Sequence, residues 1–154
     1  MARFQYRLQN ILSMKGKLEV LAKQEFSAAQ QAYQKARETL DLWIGRKEGL
    51  EAELEDLLGV GAMDLSRIGE TSLQLRYVEK TIVEQREIVA KARRVLEEAT
   101  ERLTEVRKER KTYEILKEKE YEEYRKEENR QESQEINELV SFTYGRRKAN
   151  GNGR

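Results

Sequence analysis

From Phe4 to Leu57 an apolar side chain returns nearly every three or four residues, and none of the 154 residues is a proline that would interrupt the pattern. The stripe runs Phe4, Leu8, Ile11, Lys15, Leu18, Ala22, Phe26, Ala29, Tyr33, Ala36, Leu40, Trp43, Lys47, Leu50, Leu54 and Leu57. A repeat of this period marks a helix that buries one narrow seam against another helix. Proline inside a helix removes a hydrogen bond and clashes with the preceding turn, so its absence permits very long helices. Leu18, Ala22 and Phe26 are separated by two successive steps of four, a stutter that unwinds a supercoil locally. Ala28, Ala29, Ala32 and Ala36 are short enough to let two backbones approach closely.

The pattern breaks between Leu58 and Thr71, where Gly59, Gly61 and Gly69 cluster. Glycines of this density mark a turn. The following helix is capped either by Asp64 or by Thr71 with Gln74 three residues on, the spacing of a capping box. Its seam reads Leu75, Val78, Ile82, Gln85, Val89, Ala92, Leu96, Ala99, Leu103, Val106, Arg110 and Tyr113. Two long helices joined by a short connection pack as antiparallel neighbours. The expected fold is therefore all-α, a long two-helix antiparallel coiled-coil hairpin over residues 1–144. Its parts are a helix at 3–58, a turn at 59–71 and a helix at 72–142, followed by a disordered basic tail at 145–154.

Folding the chain near residue 64 pairs positions whose numbers sum to about 128. Trp43 then lies near Gln85, which would accept its indole N–H, and Phe26 lies near Leu103. Lys15 falls near Tyr113 and Arg110 near Leu18, so the seam is expected to be softest toward the termini. Charge tests this pairing. The first 18 residues carry Arg3, Arg7, Lys15 and Lys17 with no acid, which is unfavourable at the positive end of a helix dipole. Residues 114–138 hold ten acids against five bases, and antiparallel packing lays the first of these beside the basic N-terminus. Each exposed pair contributes only about 0.2–1 kcal/mol, but the summed field favours this orientation.

Composition narrows the function. Mean hydropathy is −0.90 and 38% of residues are charged, too little apolar material for a thick core. Lys plus Arg number 30 against 29 for Asp plus Glu, a net charge of +1 that gives no reason to expect nucleic acid as a partner. Cysteine and histidine are both missing, which removes disulfides, the usual zinc ligands and the commonest general base. Gly59-Val60-Gly61 lacks the Gly-Lys-Ser/Thr of a phosphate loop. The carboxylate pairs Glu122-Glu123 and Glu127-Glu128 lie in a solvated charge run that cannot shift their pKa values far. No catalytic residue, cofactor, metal or small-molecule substrate is expected. Neither a signal peptide nor an 18-residue apolar span is legible, so the chain is expected in the cytoplasm.

What remains is binding to other proteins. Past Tyr124 the second helix outruns its partner and then regains an apolar face at Ile136, Leu139, Val140 and Phe142, the spacing of a helix that lies in a groove. Arg146, Arg147, Lys148 and Arg154 suit either solubility or an anionic surface. Gly45 and Gly49, one turn apart beside Trp43, each cost a helix about 1 kcal/mol and would let another surface come close.

The opening Phe4-x-Tyr6-Arg7-Leu8-Gln9-x-Ile11-Leu12 resembles the N-terminal end of the FliJ family of flagellar type III export proteins. The closing Tyr124-Arg125-x-Glu127-x-x-x-Gln131-x-x-x-Glu135-Ile136-Asn137-Glu138-Leu139 resembles its C-terminal end. The likeness covers residues 3 to 147. Asn137-Glu138 stands where the family often has Asp-Glu. The resemblance implies a non-enzymatic stalk similar to the rotary ATPase gamma subunit. The partners it implies are the hexameric flagellar export ATPase, the cytoplasmic domain of the membrane export gate, and export chaperones. It places the protein at the inner face of the cell membrane. ATPase contacts would fall on Arg3, Phe4, Arg7, Leu8, Glu135, Glu138 and Leu139. Gate contacts would fall on Trp43, Leu50, Gln74, Val78, Thr81 and Gln85. An escort chaperone for export substrates, or a plain coiled-coil tether, are the alternatives.

Overall fold

In the computed structural model, which describes residues 3–59, 61 and 64–151, two helices account for nearly all of the chain. Helix α1 spans Gln9–Gly59 and helix α2 spans Leu65–Gly151. They run antiparallel, as the seam predicts: Glu25 meets Arg102 at 2.9 Å, and Trp43 meets the ring of Tyr77. Glu25 and Arg102 are the immediate neighbours of Phe26 and Leu103, whose pairing the sequence predicts.

The buried stripe follows the predicted seam closely. Ala22, Ala29, Ala36 and Leu50 are buried on α1, and Val78, Ile82, Ala99 and Leu103 on α2. The best-packed layer joins Leu50, Val78 and Ile82, with Leu40, Trp43, Ile44 and Leu75 packed against it. Four of these eight seam residues are alanines, so the helices approach closely and enclose only a thin apolar layer.

Three boundaries differ from expectation. First, α2 begins at Leu65 rather than at 72, because the Asp64 carboxylate accepts from the backbone N–H groups of Ser66 at 3.2 Å and Arg67 at 3.3 Å. That decides the capping alternatives for Asp64; Thr71 lies inside the helix and is buried. Gly69 is absorbed into the helix with it. Second, the first helical residue is Gln9 rather than Arg3. Residues 3–6 lie outside the helix, and the Gln9 N–H donates to the Tyr6 carbonyl at 3.1 Å. Third, α2 continues through the expected tail to Gly151. Arg146, Arg147, Lys148 and Ala149 are good helix formers, and Lys148 in the last turn favours the dipole's negative end. Residues 152–154 of that tail lie outside the described residues.

The helix pair divides into two units. One is formed by the described residues up to Lys17 together with those from Lys108 onward; the other is Leu18–Arg107.

Candidate functional site

In the unit that carries the chain ends, the non-helical residues before α1 are held down by aromatics. The Phe4 ring packs edge-on against Tyr121 at 5.3 Å and tilted against Tyr124 at 5.4 Å. Tyr6 is buried and its hydroxyl donates to the Tyr113 carbonyl at 3.0 Å. Burial first, and Glu120 second, raise the Tyr6 pKa above its usual 10.0, with Arg7 opposing. Lys15 does not leave the seam soft: its ammonium donates to Glu109 at 2.7 Å, and that hydrogen bond raises its pKa above 10.5. Arg110 pairs with Glu114 one turn on, and Lys117 donates to the Gln9 side chain at 2.8 Å. Lys15 and Arg110, the two cations in the predicted seam near the chain ends, are thus each provided with an acid.

Of the seven residues expected to meet an ATPase, Phe4 and Leu8 are half-buried, Phe4 against Tyr121 and Tyr124, while Arg3 and Arg7 are exposed. Glu135, Glu138 and Leu139 are all exposed. Glu135 lies about 16 Å past Tyr124 along α2, at roughly 1.5 Å per residue. The two motif ends therefore form separate surfaces, one basic and one mixed. Every described residue from 129 to 151 is exposed. A groove on this stretch is lined by Leu139, Val140, Thr143, Tyr144 and Arg147. Just before it, Arg130 donates to Glu127 at 2.7 Å, which holds the Glu127 carboxyl below its usual 4.5.

In the other unit, the six residues expected to meet the gate separate by role. Val78, 1% exposed, and Leu50, 7%, hold the helices together and present little surface. The Gln85 amide nitrogen donates to the Ala36 carbonyl at 3.0 Å, and among the hydrogen bonds of the described residues none joins Gln85 to the Trp43 indole. Trp43 is half-buried and meets Tyr77 edge-on at 6.3 Å. Thr81 donates back to the Tyr77 carbonyl at 2.9 Å, and Gln74 is exposed. The predicted gate surface lacks Tyr77, 64% exposed, and Leu42, 76% exposed. Both are off-seam apolar residues beside Trp43 in chain or in space, and a large apolar residue off the seam was the available signal.

The unit also contains one buried acid off the predicted stripe. Glu19, rather than Leu18, occupies the seam at 7% exposure, flanked by Lys23 at 3.4 Å and by Arg107 at 3.5 Å. Leu18 is turned to solvent, 40% exposed. Among the described residues, no cluster of acids could hold a metal ion, and no helix is long and apolar enough to cross a membrane.

These features define an antiparallel two-helix coiled coil with exposed, chemically distinct surfaces among the described residues. The chain belongs to the flagellar FliJ protein family, whose pattern it matches over residues 4–149. Membership makes it a component of a flagellar or type III export apparatus. The structure is similar to that of a putative YscO homolog from Chlamydia trachomatis, with a TM-score of 0.71 and 24% identity, covering 95% of this chain and 98% of that one. No curated protein matches it by sequence.

Proposed function

We propose that the protein is a non-enzymatic stalk that binds the hexameric flagellar export ATPase, promotes its ring assembly and links it to the membrane export gate. The reading rests on family membership and on one observation: α2 extends past the Phe4 anchor as an exposed helix. A helix held by packing at its base and uncovered beyond it suits insertion into a ring. Arg3 and Arg7 would meet acidic groups of the ring, and Glu135, Glu138 and Leu139 would meet it further along. Gate contacts fall to the accessible Trp43, Gln74 and Thr81, extended by Tyr77 and Leu42, with Leu50, Val78 and Gln85 supporting them from beneath. The protein then works in the cytoplasm against the inner face of the membrane.

The test adds purified chain to the ATPase and follows oligomerisation and turnover. The wild type is expected to raise both, and Arg7→Glu or Leu139→Asp to lower the effect. An ATPase indifferent to the wild type, or unable to distinguish it from both variants, refutes the ring assignment. The exposed apolar residues Ile136, Leu139, Val140 and Phe142 also favour a second reading, an escort role toward export chaperones. Chaperone binding by the full chain, lost in Leu139→Asp with no change in ATPase turnover, would select it.

A further inference from the structure

The exposed end of α2 is polar in a directional way. From 131 to 138 it carries Glu132, Glu135 and Glu138 and no base; from 145 to 151 it carries Arg146, Arg147 and Lys148 and no acid. Between and across these blocks Ile136, Leu139, Val140, Phe142 and Tyr144 are each 59% to 71% exposed. Successive side chains turn about 100° around the helix, so Ile136, Val140 and Thr143 fall on one line, with Leu139 and Tyr144 to either side. Glu135 and Arg146, about three turns apart, fall on a single flank of that line.

A surface with an acidic half, an apolar centre and a basic half is its own complement when reversed. We propose that this face docks against the same face of a second copy of the chain, antiparallel and centred near Val140. Two-fold pairing places Glu135 of each copy beside Arg146 of the other and sets Ile136 against Tyr144. Antiparallel helices match equivalent flanks, so the shared flank of Glu135 and Arg146 is what makes the charge pairs intermolecular. Parallel pairing would align acid with acid and base with base. The pairing segment is about 30 Å long, short for a two-stranded coiled coil, so the association is weak and reversible. It would cover the Leu139 face that the stalk reading assigns to the ATPase, but it does not depend on that reading.

Sedimentation of the full chain tests this without any partner. The mass is expected to rise from 18.2 kDa toward twice that between micromolar and submillimolar concentration. Near 1 M salt, where the Debye length is ~3 Å, the dimer should weaken. Arg146→Glu/Arg147→Glu/Lys148→Glu and Glu132→Lys/Glu135→Lys/Glu138→Lys should each stay monomeric alone and pair when mixed. The chain has no cysteine, so orientation is readable directly. Ile136→Cys mixed with Tyr144→Cys should form a mixed disulfide faster than either forms with itself. A monomer throughout, a dimer indifferent to both charge reversals, or faster like-with-like disulfides would overturn the proposal. ATPase stimulation is not among these readouts, so failure of one reading leaves the other standing.

Discussion

The Tyr6 hydroxyl donates to the Tyr113 backbone carbonyl at 3.0 Å, joining residues 107 apart in sequence. Burial is the first cause of its raised pKa, and Glu120 adds to it. Lys15 is raised by its hydrogen bond to Glu109, and Tyr124 by burial and then by Glu128. All three shifts have one sign. A group whose folded pKa exceeds its unfolded value contributes stability fully present below the unfolded value and lost as pH rises through the folded one. The unfolded references are 10.0 for tyrosine and 10.5 for lysine. Pairing around the chain ends is therefore expected to weaken above about pH 10. Thermal unfolding followed by circular dichroism across the alkaline range checks this. Tyr6→Phe, which cannot ionise, should flatten the fall; an unchanged slope would remove Tyr6 from the account.

Phe4 is held by two tyrosines rather than by backbone pairing. Aromatic contacts of this kind contribute about 0.5–1.5 kcal/mol each beyond area. Phe4→Ala is expected to release residues 3–8 while leaving the helix pair folded. Hydrogen exchange should rise at Tyr6, Arg7 and Leu8 and stay unchanged near Val78. Equal exchange in wild type and variant would mean that Tyr6 alone anchors the segment.

Ile82, 5% exposed, packs in the layer with Leu50 and Val78. Deleting a buried isoleucine to alanine costs about 2–5 kcal/mol. In a two-helix layer the neighbours can close partway and water can reach the edge, so Ile82→Ala should fall near the low end, about 2 kcal/mol. Chemical denaturation measures it, and a change below about 0.5 kcal/mol would place the stabilising core elsewhere.

Glu19 shows where the sequence was silent. Both Lys23 and Arg107 beside it remain more than half exposed, so they stay hydrated if the carboxylate is removed. Replacing a buried ion pair by fitting apolar groups is often neutral or stabilising, and removing one member is costly where the other charge stays buried. Glu19→Leu is expected to raise the melting temperature. A fall would show that the ion contacts contribute more than the desolvation of the carboxylate costs.

The seam itself was legible almost residue by residue, because a two-helix fold offers only one stripe to bury and the apolar side chains mark it. Exceptions arose where that rule is weakest. Leu18 looked like the seam residue, yet Glu19 took the place: two steps of four can be divided at more than one residue, and ion contacts compensate the acid. The start of α2 was ambiguous because Asp64 and Thr71 are both competent caps. The helix beyond 142 was unreadable by periodicity, since no second helix selects a buried face there; continuation rests on intrinsic propensity. Separating structural from accessible members of the expected gate surface required tertiary contacts, since Val78 and Gln74 lie one turn apart on one helix.

Gly45 and Gly49 lie in the interior of α1, both exposed, and a Cβ at either would meet no heavy atom within 4 Å beyond its chain neighbours and its own helix backbone. Nothing within the described chain requires glycine at these positions. Alanine has the higher helix propensity by about 0.8–1.0 kcal/mol. Gly45→Ala and Gly49→Ala should each stabilise the protein by about that amount, read as an upward shift in denaturation midpoint with an unchanged slope. The same variants test the outer surface of α1. If the added methyls raise stability and leave export activity intact, the glycines carry no partner. If they raise stability and lower activity, another surface approaches this helix closely enough to exclude a methyl group. A destabilised variant would contradict the open space around both positions.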